Sequence, residues 1–356
     1  MTASAAVTDR LLRLRERLAA AGADALLVTT PANVRYISGF GTPEDAVVLV
    51  RREDAVLLTD GRYTAQAQEQ SALPFEIVTG LHGAAAERAQ GRKLAVEGDA
   101  MNLSQYRALA NQLGYDPVVT EGLFTPLRLV KSADEIAKLR EAARITDLAF
   151  EAAVAMMKPG VTEVEVALEL ERTMRLNGAD GSAFDIIVAS GVRGAMPHGT
   201  ASQKQLAAGE LVTLDFGAVV DGYHADMTRT VAIGAVGAEE RRLFDAVLES
   251  QKAALAAVGP GKTGREVDKV ARDILAGHGM AEAFSHSLGH GTGLVIHEGP
   301  RLSNRSDDVL APGMIVTVEP GVYFPGFTGL RIEDLAVVTE DGHEVLSHSP
   351  KEFRSL

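Results

Sequence analysis

The sequence predicts a mixed α/β protein built as two domains, and two observations carry that prediction. Short β-rich runs alternate with helical stretches through the first third of the chain, and the remainder contains a repeat of itself. An amphipathic first helix is expected from about Asp9 to a stop at Gly22. Between Asp24 and about Val119 the runs "DALLVTT", "AVVLV", "AVLLTD", "FEIVTG" and "KLAVEGD" read as strands, and "NLSQYRALANQLG" reads as a helix. A junction around Thr120 to Lys131 leads into "SADEIAKLREAARITDLAFEAAVAMMKPG". There Ser132 and Glu135 form a capping box, and Pro159-Gly160 ends the helix. Domains of residues 1–125 and 126–356 are expected.

Composition narrows the function classes. The 356 residues are 46% hydrophobic and 23% charged, which excludes a disordered chain. A formal charge of −13, with no dense Lys/Arg cluster, argues against nucleic acid and anionic membranes as partners. There is no cysteine, so disulfides, thiolate metal sites and cysteine nucleophiles are all excluded, as suits a reducing cytoplasm. The first residues lack the basic start and apolar core of a signal peptide, and no apolar run reaches the ~18 residues of a membrane span. A cytoplasmic protein is expected.

The repeat points to the chemistry. "PGVTEVEV" at 159–166 matches "PGKTGREV" at 260–267, and Thr162/Glu165 and Thr263/Glu266 are both capping boxes. "AAGELVTLDFG" at 207–217 matches "APGMIVTVEPG" at 311–321, so one helix-helix-strand unit occurs twice and Asp215 falls on Glu319. A repeat kept for packing alone would preserve apolar residues and let the acids drift. This one keeps a carboxylate in both copies.

In "GELVTLDFGAVVDGYHAD", Asp221-Gly222 reads as a two-residue type I′ turn. That turn sets Asp226 opposite Gly217, and Asp215, two residues from Gly217, shares its face; the two acids become diagonal neighbours within roughly 7–8 Å. In the second copy Glu319 is followed by a Pro/Gly-rich connection and "LRIEDL", whose Glu333 can return to the same place. Two carboxylates ~5 Å apart repel by about 3 kcal/mol at an effective dielectric of ~20, so the four acids call for divalent cations. His290, between Gly289 and Gly291, is the candidate imidazole, flanked by His286 and His297, while "AMPHG" supplies His198. Carboxylates with one imidazole suit Mn²⁺, Co²⁺ or Zn²⁺ rather than a thiophilic metal.

"TLDFGAVVDGYHADMTRT", "SLGHGTGLVIHE", "VTVEPGVY" and "LRIEDLAVVTEDG" resemble, in order and spacing, the pita-bread-fold metallopeptidases that include Xaa-Pro dipeptidase (prolidase), aminopeptidase P and methionine aminopeptidase. "TPANVRYISGF" and "TDGRYTAQA" look like the amino-terminal domain of prolidases and aminopeptidases P, so the resemblance covers nearly the whole chain. It implies a creatinase/prolidase-type α/β domain followed by a pita-bread catalytic domain with pseudo-two-fold symmetry. By the same resemblance Asp215 would bind one metal, His290 and Glu319 the other, and Asp226 and Glu333 would bridge two divalent ions, manganese foremost. A hydroxide held between them would attack the peptide bond before proline. His198 or His297 would stabilise the oxyanion, and Glu319 would shuttle the proton. His198, His286, His297 and Arg331 would contact substrate.

The resemblance further implies a homodimer and a proline-containing di- or oligopeptide substrate. A small prokaryotic prolidase is the reading preferred over an aminopeptidase P, and a positive group closing the cleft would favour the dipeptidase. Methionine aminopeptidase does not need the amino-terminal domain, and a phosphoesterase would want a phosphate-cradling loop. A catalytically inactive metal-binding scaffold is the reading from another class. The Arg35/Tyr36 loop reads equally as packing or as substrate contact.

Overall fold

The structure, a computed structural model, describes residues 5–356. The chain divides into two compact units, Met1–Arg128 and Leu129–Leu356.

The first unit is an α/β layer structure. Its elements are α1 (Ala5–Ala20), β1 (Ala25–Val28), α2 (Pro31–Ser38), β2 (Ala46–Arg51), β3 (Ala55–Thr59), α3 (Thr64–Gln70), β4 (Phe75–Ile77), α4 (Leu81–Arg88), β5 (Leu94–Glu97), α5 (Leu103–Leu113) and β6 (Val118–Thr120). The strands form one mixed sheet in the order β4-β3-β2-β1-β5-β6. Its inner strands β1, β3 and β5 are buried along their whole length, as continuous apolar runs demand. The first helix begins earlier than its amphipathic pattern suggests, and β6, at the end of the alternating stretch, is a strand not among the runs read as strands. "TPANVRYISGF" is a helix rather than a loop, and its cause is remote in sequence. The buried Glu97 carboxylate at the end of β5 accepts from the Thr29 and Thr30 amides and from Asn33 Nδ2, placing negative charge at the start of α2. Tyr36 is buried there, its hydroxyl donating to Leu127 O at 2.8 Å, so packing is what it does.

A short helix α6 (Thr125–Leu129) precedes the second unit, which is two similar halves. The first holds α7 (Ala133–Met156), α8 (Glu163–Leu176), β7 (Gly181–Ser182), β8 (Ile187–Ser190), β9 (Leu211–Phe216), β10 (Ala218–Val220), β11 (Tyr223–His224) and β12 (Met227–Ala232). The second holds α9 (Ala238–Ala256), α10 (Gly264–Gly277), β13 (Gly289–Gly291), β14 (Glu298–Leu302), β15 (Ile315–Val318), β16 (Gly321–Phe324), β17 (Thr328–Arg331), β18 (Asp334–Val338) and β19 (His343–Val345). All three capping boxes form, at Ser132, Thr162 and Thr263.

The repeat is visible bond by bond. The Gly160 amide donates to Leu206 O and the Glu163 amide to Lys204 O; in the second half Gly261 donates to Leu310 O and Gly264 to Asp308 O. Val166, Leu170 and Met174 of α8 pack with Val212, Leu214 and Phe216 of β9, and Val267, Ala271 and Leu275 of α10 pack with Val316 and Val318 of β15. Each half thus has its own core, and the inner sheet faces are left to meet. The halves are joined by Arg229, fully buried, which donates to Thr228 O, Glu333 O, Ser349 O and the Asp334 carboxylate.

Candidate metal centre

Along β9 the residues alternate: Val212, Leu214 and Phe216 enter the core beneath, so Thr213 and Asp215 take the opposite face. The turn below is type I′, with φ of 49° at Asp221 and 77° at Gly222, and Val220 pairs with Tyr223. The register continues into β12, where Thr228 faces Asp215 and Met227 faces Phe216. Asp226 therefore stands opposite Gly217, diagonal to Asp215, as the turn predicts.

The second half supplies the rest. His290 sits in β13 between two glycines because backbone crowds both sides: a Cβ on Gly289 would collide with Thr317 O, and one on Gly291 with Gly299 O. Glu319 leaves β15 with its amide bonded to Leu288 O, and Thr317 Oγ1 both accepts from the His290 amide and donates to Glu319 Oε1. Glu333 crosses to the first half, its amide donating to Thr228 O at 3.0 Å and its Oε2 accepting from Thr228 Oγ1 at 2.7 Å.

The five side chains converge. Oxygens of Asp215, Asp226 and Glu333 lie within 4.8 Å of one another, and His290 Nε2 is 3.3 Å from Glu319 Oε1 and 3.6 Å from Asp226 Oδ2. Burial pushes the Asp226 and Glu333 carboxyls well up, and repulsion from the neighbouring acids adds to it. Burial raises Glu319 to about 8, although the Arg331 guanidinium opposes the rise. His290 is pushed down to about 3 by burial, so its ring is neutral and Nε2 offers a lone pair. Two further facts favour cations here: Asp215 Oδ1 and Glu333 Oε1 are buried without any hydrogen-bond partner. Unpaired buried oxygens amid mutual repulsion fit divalent metal, and the donor set is oxygen with one imidazole nitrogen.

Around this cluster lies a cavity of about 910 Å³. His198 and His297 are exposed in its wall, and the His297 ring stands edge-on to His290 with centroids 4.4 Å apart. His286 also lines it but is engaged at both nitrogens. Tyr323 accepts from Arg331 at 2.6 Å, so its hydroxyl donates to His286 Nε2 at 3.0 Å, leaving Nδ1–H for Ser287 O. Arg331 is buried, bonding Asp215, Tyr323 and Thr228 Oγ1. The chain segment that carries His198 is tied down by the buried Glu163 carboxylate, which accepts from the amides and hydroxyls of Ser190 and Ser202 and pairs with Arg193.

Thr228, Thr317, Tyr323, Glu163 and Arg301, the last an exposed guanidinium in the cavity wall, escape the sequence reading. Only Thr317 carried a signal, since the repeat matches it to Thr213.

Comparisons with known proteins place the chain among relatives along almost its whole length. The profile of metallopeptidase family M24 matches residues 137–340, and that of the creatinase/prolidase N-terminal domain matches residues 10–130. The peptidase YqhT of Bacillus subtilis is 42% identical over 97% of this chain and 99% of its own. The structure of an Xaa-Pro dipeptidase from Bacillus anthracis superposes with a TM-score of 0.94 at 44% identity, over 98% of this chain and 100% of that one. An X-Pro aminopeptidase from Thermotoga maritima superposes at 0.88 with 37% identity, over 96% and 100%.

Proposed function

The chain belongs to metallopeptidase family M24, with an amino-terminal creatinase-type domain, and from that premise we propose that it is an Xaa-Pro dipeptidase, a prolidase hydrolysing the bond before proline. Asp215, Asp226, His290, Glu319 and Glu333 would hold two divalent cations, manganese before cobalt or zinc. When bound, such metals supply an acidified water and polarise the scissile carbonyl.

The chain's own groups do the remaining work. Glu319 stands at the cluster's edge beside His290 Nε2, where it takes a proton from the attacking water and passes it to the proline nitrogen, which carries no hydrogen of its own. His297 and His198, both in the cavity wall, offer N–H donors to the oxygen where charge develops. The substrate's free amino end lies on the Asp215 side. Arg301, in the same cavity wall, meets the carboxylate at the other end. That guanidinium is the observation that carries the dipeptidase reading, because it gives a free dipeptide two charged ends to be held by.

The second reading, an Xaa-Pro aminopeptidase acting on longer peptides, is favoured by the likeness to the Thermotoga maritima enzyme. Metal-stripped protein resupplied with Mn²⁺ would be given an Xaa-Pro dipeptide, a matched Xaa-Pro-Xaa tripeptide and a dipeptide lacking proline. Cleavage of the Xaa-Pro dipeptide alone supports the dipeptidase; a faster tripeptide moves the assignment to the aminopeptidase. Silence toward all three would leave a metal-binding scaffold. The same proposal carries the division at residues 125/126, a cytoplasmic location and a homodimer, the last tested by light scattering.

A further inference from the structure

The cavity wall holds one carboxylate that the chemistry above does not use. In the β8–β9 pairing Ile187 stands opposite Asp215, and four residues earlier the chain is still tied to the end of β9, with the Ala183 amide donating to Gly217 O at 2.8 Å. Phe184, Asp185 and Ile187 from this stretch all line the cavity, as does Ile296. Asp185 is exposed there and has no hydrogen-bond or ion-pair partner among the described residues. It lies outside the trio Asp215, Asp226 and Glu333 that gathers around a common point. The guanidinium of Arg331, which lines the same cavity, is already spent on Asp215, Tyr323 and Thr228.

What this arrangement fits is a long aliphatic side chain ending in a cation. Phe184, Ile187 and Ile296 provide apolar surface for the methylene stem, and Asp185 provides the charge at its end. Phe184, Asp185 and Ile187 sit on the Asp215 flank, where the substrate's first residue belongs if the peptidase reading holds, and Ile296 comes from the second half. We propose that Asp185 is a specificity-determining residue that selects dipeptides beginning with lysine or arginine over neutral ones of the same shape. The inference rests on that reading and adds the identity of Xaa to it.

The test is a set of kcat/KM ratios on the Mn²⁺-loaded protein with lysyl-proline, norleucyl-proline and glutamyl-proline. Lysyl-proline should exceed norleucyl-proline by about ten-fold, as one charge pair in a partly dry cleft allows, and raising the salt should shrink that ratio. Asp185→Asn should bring the ratio near one, and Asp185→Lys should move the preference to glutamyl-proline. A ratio unchanged in Asp185→Asn overturns the proposal. So does a fall in proportion for all three dipeptides, which would assign Asp185 to the common backbone or amino group. Norleucyl-proline cleaved as fast as lysyl-proline by the parent sinks this inference alone, whereas no cleavage of any Xaa-Pro substrate sinks the peptidase reading with it.

Discussion

Arg331 holds the Asp215 carboxylate at hydrogen-bond range, while its Nε stands 3.9 Å from Glu319, the residue that occupies the same place in the other half. Two positions equivalent in the repeat are thus treated differently by one guanidinium.

Removing that guanidinium should expose how much the acids repel. Arg331→Ala leaves four converging carboxylates with no cation in contact, and loss of one partner from a buried ion pair costs about 3–5 kcal/mol. The metal-stripped variant should melt well below the parent at pH 8, with most of the difference recovered on adding Mn²⁺. Thermal unfolding with and without the ion checks it; an unaltered metal-free melt contradicts it.

The stability of metal-free protein should fall as the pH rises. Folded, the protein keeps protons on Asp226, Glu319 and Glu333 where the unfolded chain has released them, so their contribution to stability is full below the unfolded values of 3.8 for Asp226 and 4.5 for the two glutamates and declines as the pH rises above them, the Glu319 part ending near pH 8. His290 and His286, held neutral down to about 3 and 4 by burial, act in the opposite sense, but only below their unfolded value of 6.5. Between pH 6.5 and 8 the carboxyls alone should set the slope. Urea unfolding in chelator across that window should show it, and Glu319→Gln should flatten it.

Arg301 should matter only for a substrate with a free carboxylate. Arg301→Ala should raise KM for an Xaa-Pro dipeptide about 10- to 100-fold, the loss of one charge-assisted contact, with little effect on the Xaa-Pro amide. Equal losses on acid and amide would remove Arg301 from that role.

Glu163 should act on the reaction from outside the cavity. Glu163→Ala frees Ser190, Ser202 and Arg193, so it should cost about 2–3 kcal/mol of stability and lower kcat through displacement of His198. Metal content measured on the same protein should not change. A fall in bound metal would mean that the effect spreads to the cluster itself.

What the sequence made legible was local or repeated. The Asp221-Gly222 turn determined the pairing of Val220 with Tyr223 and, through it, the diagonal of Asp215 and Asp226, because hairpin register follows from turn geometry. The capping boxes are three-residue relations and formed as read. Helix α2 was hidden because its capping carboxylate, Glu97, lies 64 residues from Asn33. Thr228 and the pairing of Arg331 were hidden in the same way: their partners Glu333 and Asp215 are 105 and 116 residues away, in the opposite half, and nothing in either segment names the other. Arg331 was singled out, but its grip on Tyr323 and Asp215 was not.

The near-symmetry of the halves has a consequence for orientation. A cleft with a true two-fold axis would receive a chain running in either direction with equal free energy, since each pose is the image of the other. Here the hairpin, with Asp215 gripped by Arg331, forms one wall, and His290 beside Glu319 forms the other. The departures from the repeat therefore act as a compass, telling the head of a bound peptide from its tail.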